Sequence, residues 1–163
     1  MHYAAYNKYD AANGTGLRAS LFVSGCSHRC PGCFNQEAWD YSYGKEFTTE
    51  FEDAIVEDLK NEIRPLRGLS ILGGEPFDNV NGLIGLVMRA SIYKDVWVWS
   101  GYTFEELFAD QDKRFMLEQI DVLIDGKFVQ ELYDPNLRFR GSSNQRVIDV
   151  QESLEKKELI LLV

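Results

Sequence analysis

Three cysteines, Cys26, Cys30 and Cys33, are the only thiols in a chain of 163 residues, and they fall in one stretch, Cys26-Ser-His-Arg-Cys30-Pro-Gly-Cys33. Such short gaps let one loop wrap a compact inorganic core, and iron–sulfur clusters are held by cysteine thiolates in runs of this kind. A fully protein-ligated four-iron cluster needs four thiolates, so three leave one iron with an open coordination position. Zinc follows the same arithmetic, a structural site being closed by four ligands and a catalytic one left open by three. An open position implies a bound substrate. An odd thiol count also cannot be fully paired in disulfides, which favours metal ligation or redox chemistry in a reducing compartment.

The competing readings are a non-catalytic iron–sulfur electron carrier and a structural zinc site with His28 as fourth ligand. The spacing CxxxCxxC is not the close pair matched by a distant second pair that zinc modules use. His28 lies inside the same tight loop, where a fourth tetrahedral ligand is awkward, and its plain reading is a loop residue.

Composition narrows the partners. Seventeen Lys and Arg against twenty-six Asp and Glu give a net charge of −9, which repels a phosphate backbone or an anionic membrane at long range. Nucleic acid and membrane are therefore not expected partners. Apolar residues at 45% and charged residues at 26% are ordinary for a folded soluble protein. The N-terminus has no apolar core of signal-peptide length, and no stretch reaches the roughly 18 apolar residues of a membrane span, so a cytoplasmic location is expected. Residues 1–163 fit one domain, since domains of about 100 to 150 residues are the commonest.

The elements that must position the thiols follow from periodicity. Residues 17–23 (LRASLFV) are apolar and β-prone and run straight into Ser24, Gly25 and the first cysteine. Thr49 and Glu52 form a capping box, after which Phe51, Ile55, Leu59 and Ile63 recur at helical spacing until Pro65. Further strands are predicted at 68–72, 96–99, 122–125, 147–150 and 159–162, with helical spacing from Val80 to Val87 and a second capping box, Thr103 with Glu106, opening a helix to about Phe108. Strands alternating with helices predict an α/β fold with a parallel sheet. The chain is too short for a complete barrel of about 250 residues, so about six strands should form a partial, open (β/α) barrel or an open sheet. Active groups then belong at the C-terminal ends of the strands, which is where the cysteine loop lies.

The motif CSHRCPGC is the CxxxCxxC signature of the radical S-adenosylmethionine enzymes, which this chain resembles, and its surroundings are similar to those of the activases of anaerobic ribonucleotide reductase. The matching residues are Ala12-Asn13-Gly14, LFVSGC before the motif, CFN (33–35), GGEPF (73–77), WSGY (99–102), DVLIDGKF (121–128) and RGSSNQRVIDV (140–150). The resemblance implies a [4Fe-4S] cluster on Cys26, Cys30 and Cys33 whose vacant iron is chelated by S-adenosylmethionine. It implies reductive cleavage to a 5′-deoxyadenosyl radical, which takes hydrogen from a glycine of the large, glycyl-radical subunit of anaerobic ribonucleotide reductase. A flavodoxin-like protein is the implied electron donor, and an activase for a different glycyl-radical partner is the nearest alternative.

On that resemblance the S-adenosylmethionine contacts are expected at Gly32, Phe34, Gly73, Gly74, Glu75, Ser100, Asp125 and Arg140. Gly32 keeps bulk away from the third cysteine. Gly73 and Gly74 either permit a sharp turn or let the backbone meet the substrate's amino group. Trp97 and Trp99 share one face of a strand and either pack as core, the plainer reading, or line the barrel interior, which leaves Ser100 and Gly101 at the strand's end for ligand contact. Asp125 either orients a ribose hydroxyl or belongs to an Asp-Gly turn. Arg138, Arg140 and Arg146 either line a solvated loop or recognise a carboxylate or the reductase.

Overall fold

Strands and helices alternate along the computed structural model, which describes residues 1–163. β1 (His2–Asp10) and β2 (Arg18–Val23) come first, and β3 (Lys45–Glu46) precedes α1 (Thr49–Lys60). There follow β4 (Gly68–Gly73), α2 (Val80–Tyr93), β5 (Asp95–Trp99), the helix pair α3 (Phe104–Ala109) and α4 (Gln111–Leu117), β6 (Val122–Asp125), β7 (Arg146–Asp149), α5 (Val150–Lys156) and β8 (Ile160–Leu161). All eight strands join one sheet in the order β3-β1-β2-β4-β5-β6-β7-β8.

The fold is α/β, but the sheet is mixed and has eight strands, which corrects the expectation of about six parallel ones. Only β2, β4, β5 and β6 pair in parallel, and the pairs on either flank are antiparallel. Parallel neighbours need a crossover, usually a helix, and α1, α2 and the α3–α4 pair supply the three crossovers. Residues 126–145, between β6 and β7, contain only a short 3₁₀ turn at Gln130–Leu132, so β7 returns beside β6 antiparallel. β1 pairs with β2 through register shifts between Tyr3 and Ala5 and between Asn7 and Asp10. It escapes an apolar period because its more buried positions, Tyr6, Lys8 and Asp10, include two charged residues while Ala5 and Tyr9 face out.

Alternation along the parallel strands sorts their side chains onto two faces. Ala19, Leu21 and Val23, with Leu69 and Ile71, Val96 and Val98, and Leu123, join buried residues of the helices in one cluster of 23. The opposite face carries Trp97, Val122, Ile124 and Val147, against which Trp99 and Phe139 pack. Arg18 projects from this second face, fully buried, and donates to Asp95 Oδ1 at 2.6 Å and Ser70 Oγ at 2.7 Å, tying β2 to β4 and β5.

Local chemistry sets the element ends. The α1 cap is Thr48, whose Oγ1 accepts from Phe51 N–H at 3.1 Å, one residue earlier than the spacing predicts. The helix stops at Lys60 because the Asn61 side chain captures Ile63 N–H at 2.9 Å, leaving Ile63 exposed rather than on the core stripe. The predicted strand at 147–150 ends instead at Asp149, whose carboxylate accepts from Glu152 N–H and caps α5. No helix is long and apolar enough to cross a membrane.

Candidate functional site

The four parallel strands end at Val23, Gly73, Trp99 and Asp125, and the loops that follow meet around one cavity of about 410 Å³. The cysteine loop leaves β2 through Gly25 and Cys26, whose N–H groups donate to Ala38 O at 2.7 Å and Trp39 O at 3.2 Å. The loop after β4 is bound to it directly, with Gly74 N–H donating to Val23 O at 2.7 Å and Glu75 N–H to Gly25 O at 2.8 Å. This approach explains the glycine pair: a Cβ at Gly73 would lie 2.7 Å from the Val23 backbone, and one at Gly74 2.6 Å from Gly25 O. Gly73 also has φ +104°, a conformation open mainly to glycine.

Cys26, Cys30 and Cys33 are all free, half-buried, and part of the cavity wall. Burial pushes the Cys26 and Cys30 thiols up from the ordinary value, so ligation must displace their protons. Cys33 N–H donates to Cys30 O at 3.1 Å, closing a turn, and Cys33 Sγ accepts from Asn35 N–H at 3.4 Å. Phe34 is 70% exposed and packs its ring 5.2 Å from Phe128 and 5.7 Å from Tyr133, holding the loop against residues 126–145.

His28 is occupied elsewhere, its Nε2 lying 2.7 Å from Glu75 Oε2, so it does not serve as a fourth metal ligand in this arrangement. No three Cys, His, Asp or Glu side chains converge closely enough to share a single ion. A cluster asks for no such convergence, because each thiolate meets its own iron. Two buried donors, Trp39 Nε1 and Arg140 Nε, lack a protein acceptor, and both residues line the cavity. Three thiols, an open volume and unpaired donors together fit a three-cysteine cluster with a polar ligand beside it.

Of the residues expected from the sequence, Phe34, Gly73, Gly74, Glu75, Ser100 and Arg140 line the cavity with the three cysteines. Gly32 and Asp125 do not belong to its lining. Gly32 has φ +75° and faces Gln130. Asp125 is buried, accepting from Arg146 Nε at 3.0 Å and from Phe104 N–H at 2.7 Å, so its carboxylate joins β6 to β7 and α3. The three arginines part company: Arg138 stacks on Phe139, Arg140 lines the cavity and donates to Gln145 O at 2.7 Å, and Arg146 pairs with Asp125 and Glu105.

The cavity also recruits residues that sequence reasoning left aside. The two readings of the tryptophan pair divide between its members: Trp97 packs as core, and Trp99 lines the cavity and donates its Nε1–H to Phe139 O at 2.6 Å. Its place as the last residue of a parallel strand was the available signal. Gln145 organises the RGSSNQR segment, its Oε1 accepting from Gly141 N–H at 2.9 Å and Ser142 N–H at 3.1 Å while Nε2 donates to Gly126 O at 2.9 Å. Asn13, from the Ala12-Asn13-Gly14 match, reaches the cavity from the loop between β1 and β2.

Comparison with known proteins places this geometry among relatives. The family described as "4Fe-4S single cluster domain" matches residues 12–148. Proteins named anaerobic ribonucleoside-triphosphate reductase-activating protein are similar over most of their length. That of Vibrio cholerae serotype O1 is 47% identical over 150 residues, covering 89% of this chain and 96% of the relative. That of Escherichia coli K12 is 46% identical over 152 residues, covering 90% and 97%. The one from Enterobacteria phage T4 is 35% identical over 152 residues, covering 90% and 93%.

Proposed function

This chain belongs to the family of anaerobic ribonucleoside-triphosphate reductase-activating proteins, and from that premise we propose that it is the enzyme that installs a glycyl radical on an anaerobic ribonucleotide reductase. The observation that carries the reading is the placing of three thiols, and no fourth, in one cavity wall beside the Gly73–Gly74 loop. Cys26, Cys30 and Cys33 would hold a [4Fe-4S] cluster, leaving one iron for S-adenosylmethionine. The chemistry supplied by such a cluster, when bound, is the one-electron reduction that splits the sulfonium into methionine and the 5′-deoxyadenosyl radical, which takes a hydrogen atom from the reductase glycine.

The chain's own residues bind, orient and shield. Gly73 and Gly74, free of side chains that would strike Val23 and Gly25, bring their backbone close to the cysteine loop and present it to the substrate's amino group, and Ser100 follows from the end of β5. Arg140 offers its Nε–H, which no protein group accepts, to a carboxylate or hydroxyl. Trp99, Phe34 and Phe139 are apolar wall that keeps water from the radical. Gly32 relieves crowding beside Cys33, and Asp125 acts through the fold rather than on a ribose. The cavity at the ends of the parallel strands, lined also by Phe128, Phe139 and Arg140, supports reading the sheet as an incomplete barrel of radical S-adenosylmethionine type acting as one domain. A protein segment as substrate accords with so open a site. A flavodoxin-like donor and a cytoplasmic location complete the proposal.

Anaerobically reconstituted protein reduced with dithionite should convert S-adenosylmethionine to 5′-deoxyadenosine and methionine, and should give a glycyl-radical resonance when the reductase is added. Absence of cleavage from protein carrying full iron and sulfide overturns the reading.

A further inference from the structure

Glu75 lines the cavity, yet its carboxylate is spent on the protein. It is fully buried, and its two oxygens accept four hydrogen bonds. Oε1 accepts from Phe77 N–H at 2.9 Å and Ser100 Oγ at 2.9 Å, and Oε2 from Gly101 N–H and His28 Nε2, each at 2.7 Å. A carboxylate with four donors has its lone pairs taken and none free for a ligand. One side chain therefore joins three loops: its own after β4, Ser100–Gly101 after β5, and the cysteine loop after β2.

The link to the cysteine loop is His28, which stands between Cys26 and Cys30 with its side chain 6% exposed. The pocket is shaped for this ring. It meets Tyr102 edge-on at 4.4 Å between centroids, and a Cβ at Gly101 would come within 2.5 Å of it. The neighbouring residue is gripped as well: Asp78 Oδ2 accepts from Ser27 N–H at 2.9 Å and Ser27 Oγ at 2.8 Å, while Oδ1 accepts from Tyr102 Oη at 2.7 Å. The two residues that follow Cys26 are thus clamped by two carboxylates of the segment that follows the glycine pair.

We propose that His28 is a positioning residue, locked by Glu75, that sets the cysteine loop in register with the Gly73–Gly74 and Ser100–Gly101 loops. Outer-shell partners of this kind orient first-shell ligands. The proposal rests on the functional reading above for its effect on S-adenosylmethionine, though not for the clamp itself. Because Nε2–H does the holding, glutamine, whose amide can present an N–H at a similar reach, should substitute where alanine cannot.

Two measurements on His28→Ala and His28→Gln test it. In cluster-free protein, iodoacetamide should alkylate Cys26 about tenfold faster in H28A than in the wild type or H28Q, with Cys33 unchanged. In reconstituted protein, H28A should keep its iron and sulfide yet bind S-adenosylmethionine about tenfold more weakly, read from the change in the reduced cluster's paramagnetic resonance spectrum, and H28Q should recover most of that affinity. Wild-type alkylation in H28A overturns the clamp, as does an H28Q protein as impaired as H28A. If H28A does not fold, H28Q alone decides, since a tenfold loss in it contradicts the proposal and near-wild-type behaviour supports it. A wild-type protein that ignores S-adenosylmethionine defeats the functional reading instead, and the alkylation contrast still decides the clamp.

Discussion

Removing any one of Cys26, Cys30 and Cys33 leaves two thiols in a chain that has no others to recruit. Cys30→Ala should therefore lose most of its bound iron and sulfide after reconstitution and all cleavage of S-adenosylmethionine; an active variant would contradict the ligand assignment. Asp78 supports a pH prediction. Burial pushes its carboxyl up, but hydrogen bonds from Tyr102 and Ser27 outweigh this and hold it below the usual range. Burial and the same bond push the Tyr102 phenol up to about 12. The depressed carboxyl contributes stability that is present above its ordinary value of about 3.9 and is lost as pH falls through the native value. The raised phenol contributes below about 10 and is lost as pH rises to about 12. Asp78→Asn should cost about 1–2 kcal/mol at neutral pH, allowing for its partial exposure, a fall of roughly 2–8 °C in melting temperature. The gap between variant and wild type should close in acid; a gap that persists there would show that the Asp78 charge is not what matters.

At the scale of elements, the parallel strands are joined on one face by apolar packing against helices and on the other by a buried cation. Arg18 donates to Asp95, Ser70 and Leu69 O, and lies 5.1 Å above the Trp97 ring. Its loss leaves Ser70 Oγ and Leu69 O without their buried donor, while Asp95, 24% exposed, keeps Arg67 at 3.6 Å, so Arg18→Ala should destabilise by about 2–3 kcal/mol in guanidinium unfolding. A loss under about 1 kcal/mol would mean that water replaces the guanidinium. The α1 cap is a milder case: Thr48→Ala should cost about 1 kcal/mol, whereas Thr49→Ala, at the position where the spacing alone puts the cap, should cost little. The pair tells whether the one-residue correction is real.

For the whole molecule, the consequence is a site assembled at four strand ends and walled on one side by residues 126–145, which carry no crossover helix. The thiols are only half-buried. Reconstituted protein should accordingly lose its visible absorbance within minutes to hours of exposure to air, and S-adenosylmethionine, by filling the cavity, should slow that loss. An air-stable cluster would point to a closed, fully ligated site.

Read alone, the sequence determined the number and spacing of the thiols, the strand that delivers them, and most of the βα alternation. These are local facts, carried by residue type and by period. The glycine pair at 73–74, the placing of Ser100 and the motif ending in Arg146 were legible as well, though not their reasons. Tertiary structure alone decided that the sheet is mixed, because pairing direction depends on where a connection can travel, and it decided that Asp125 turns to Arg146 rather than to the cavity. It also decided that Glu75 and His28 belong to each other across 47 residues of chain. A carboxylate's role is set by the donors that reach it, and those donors arrive from three different strand ends.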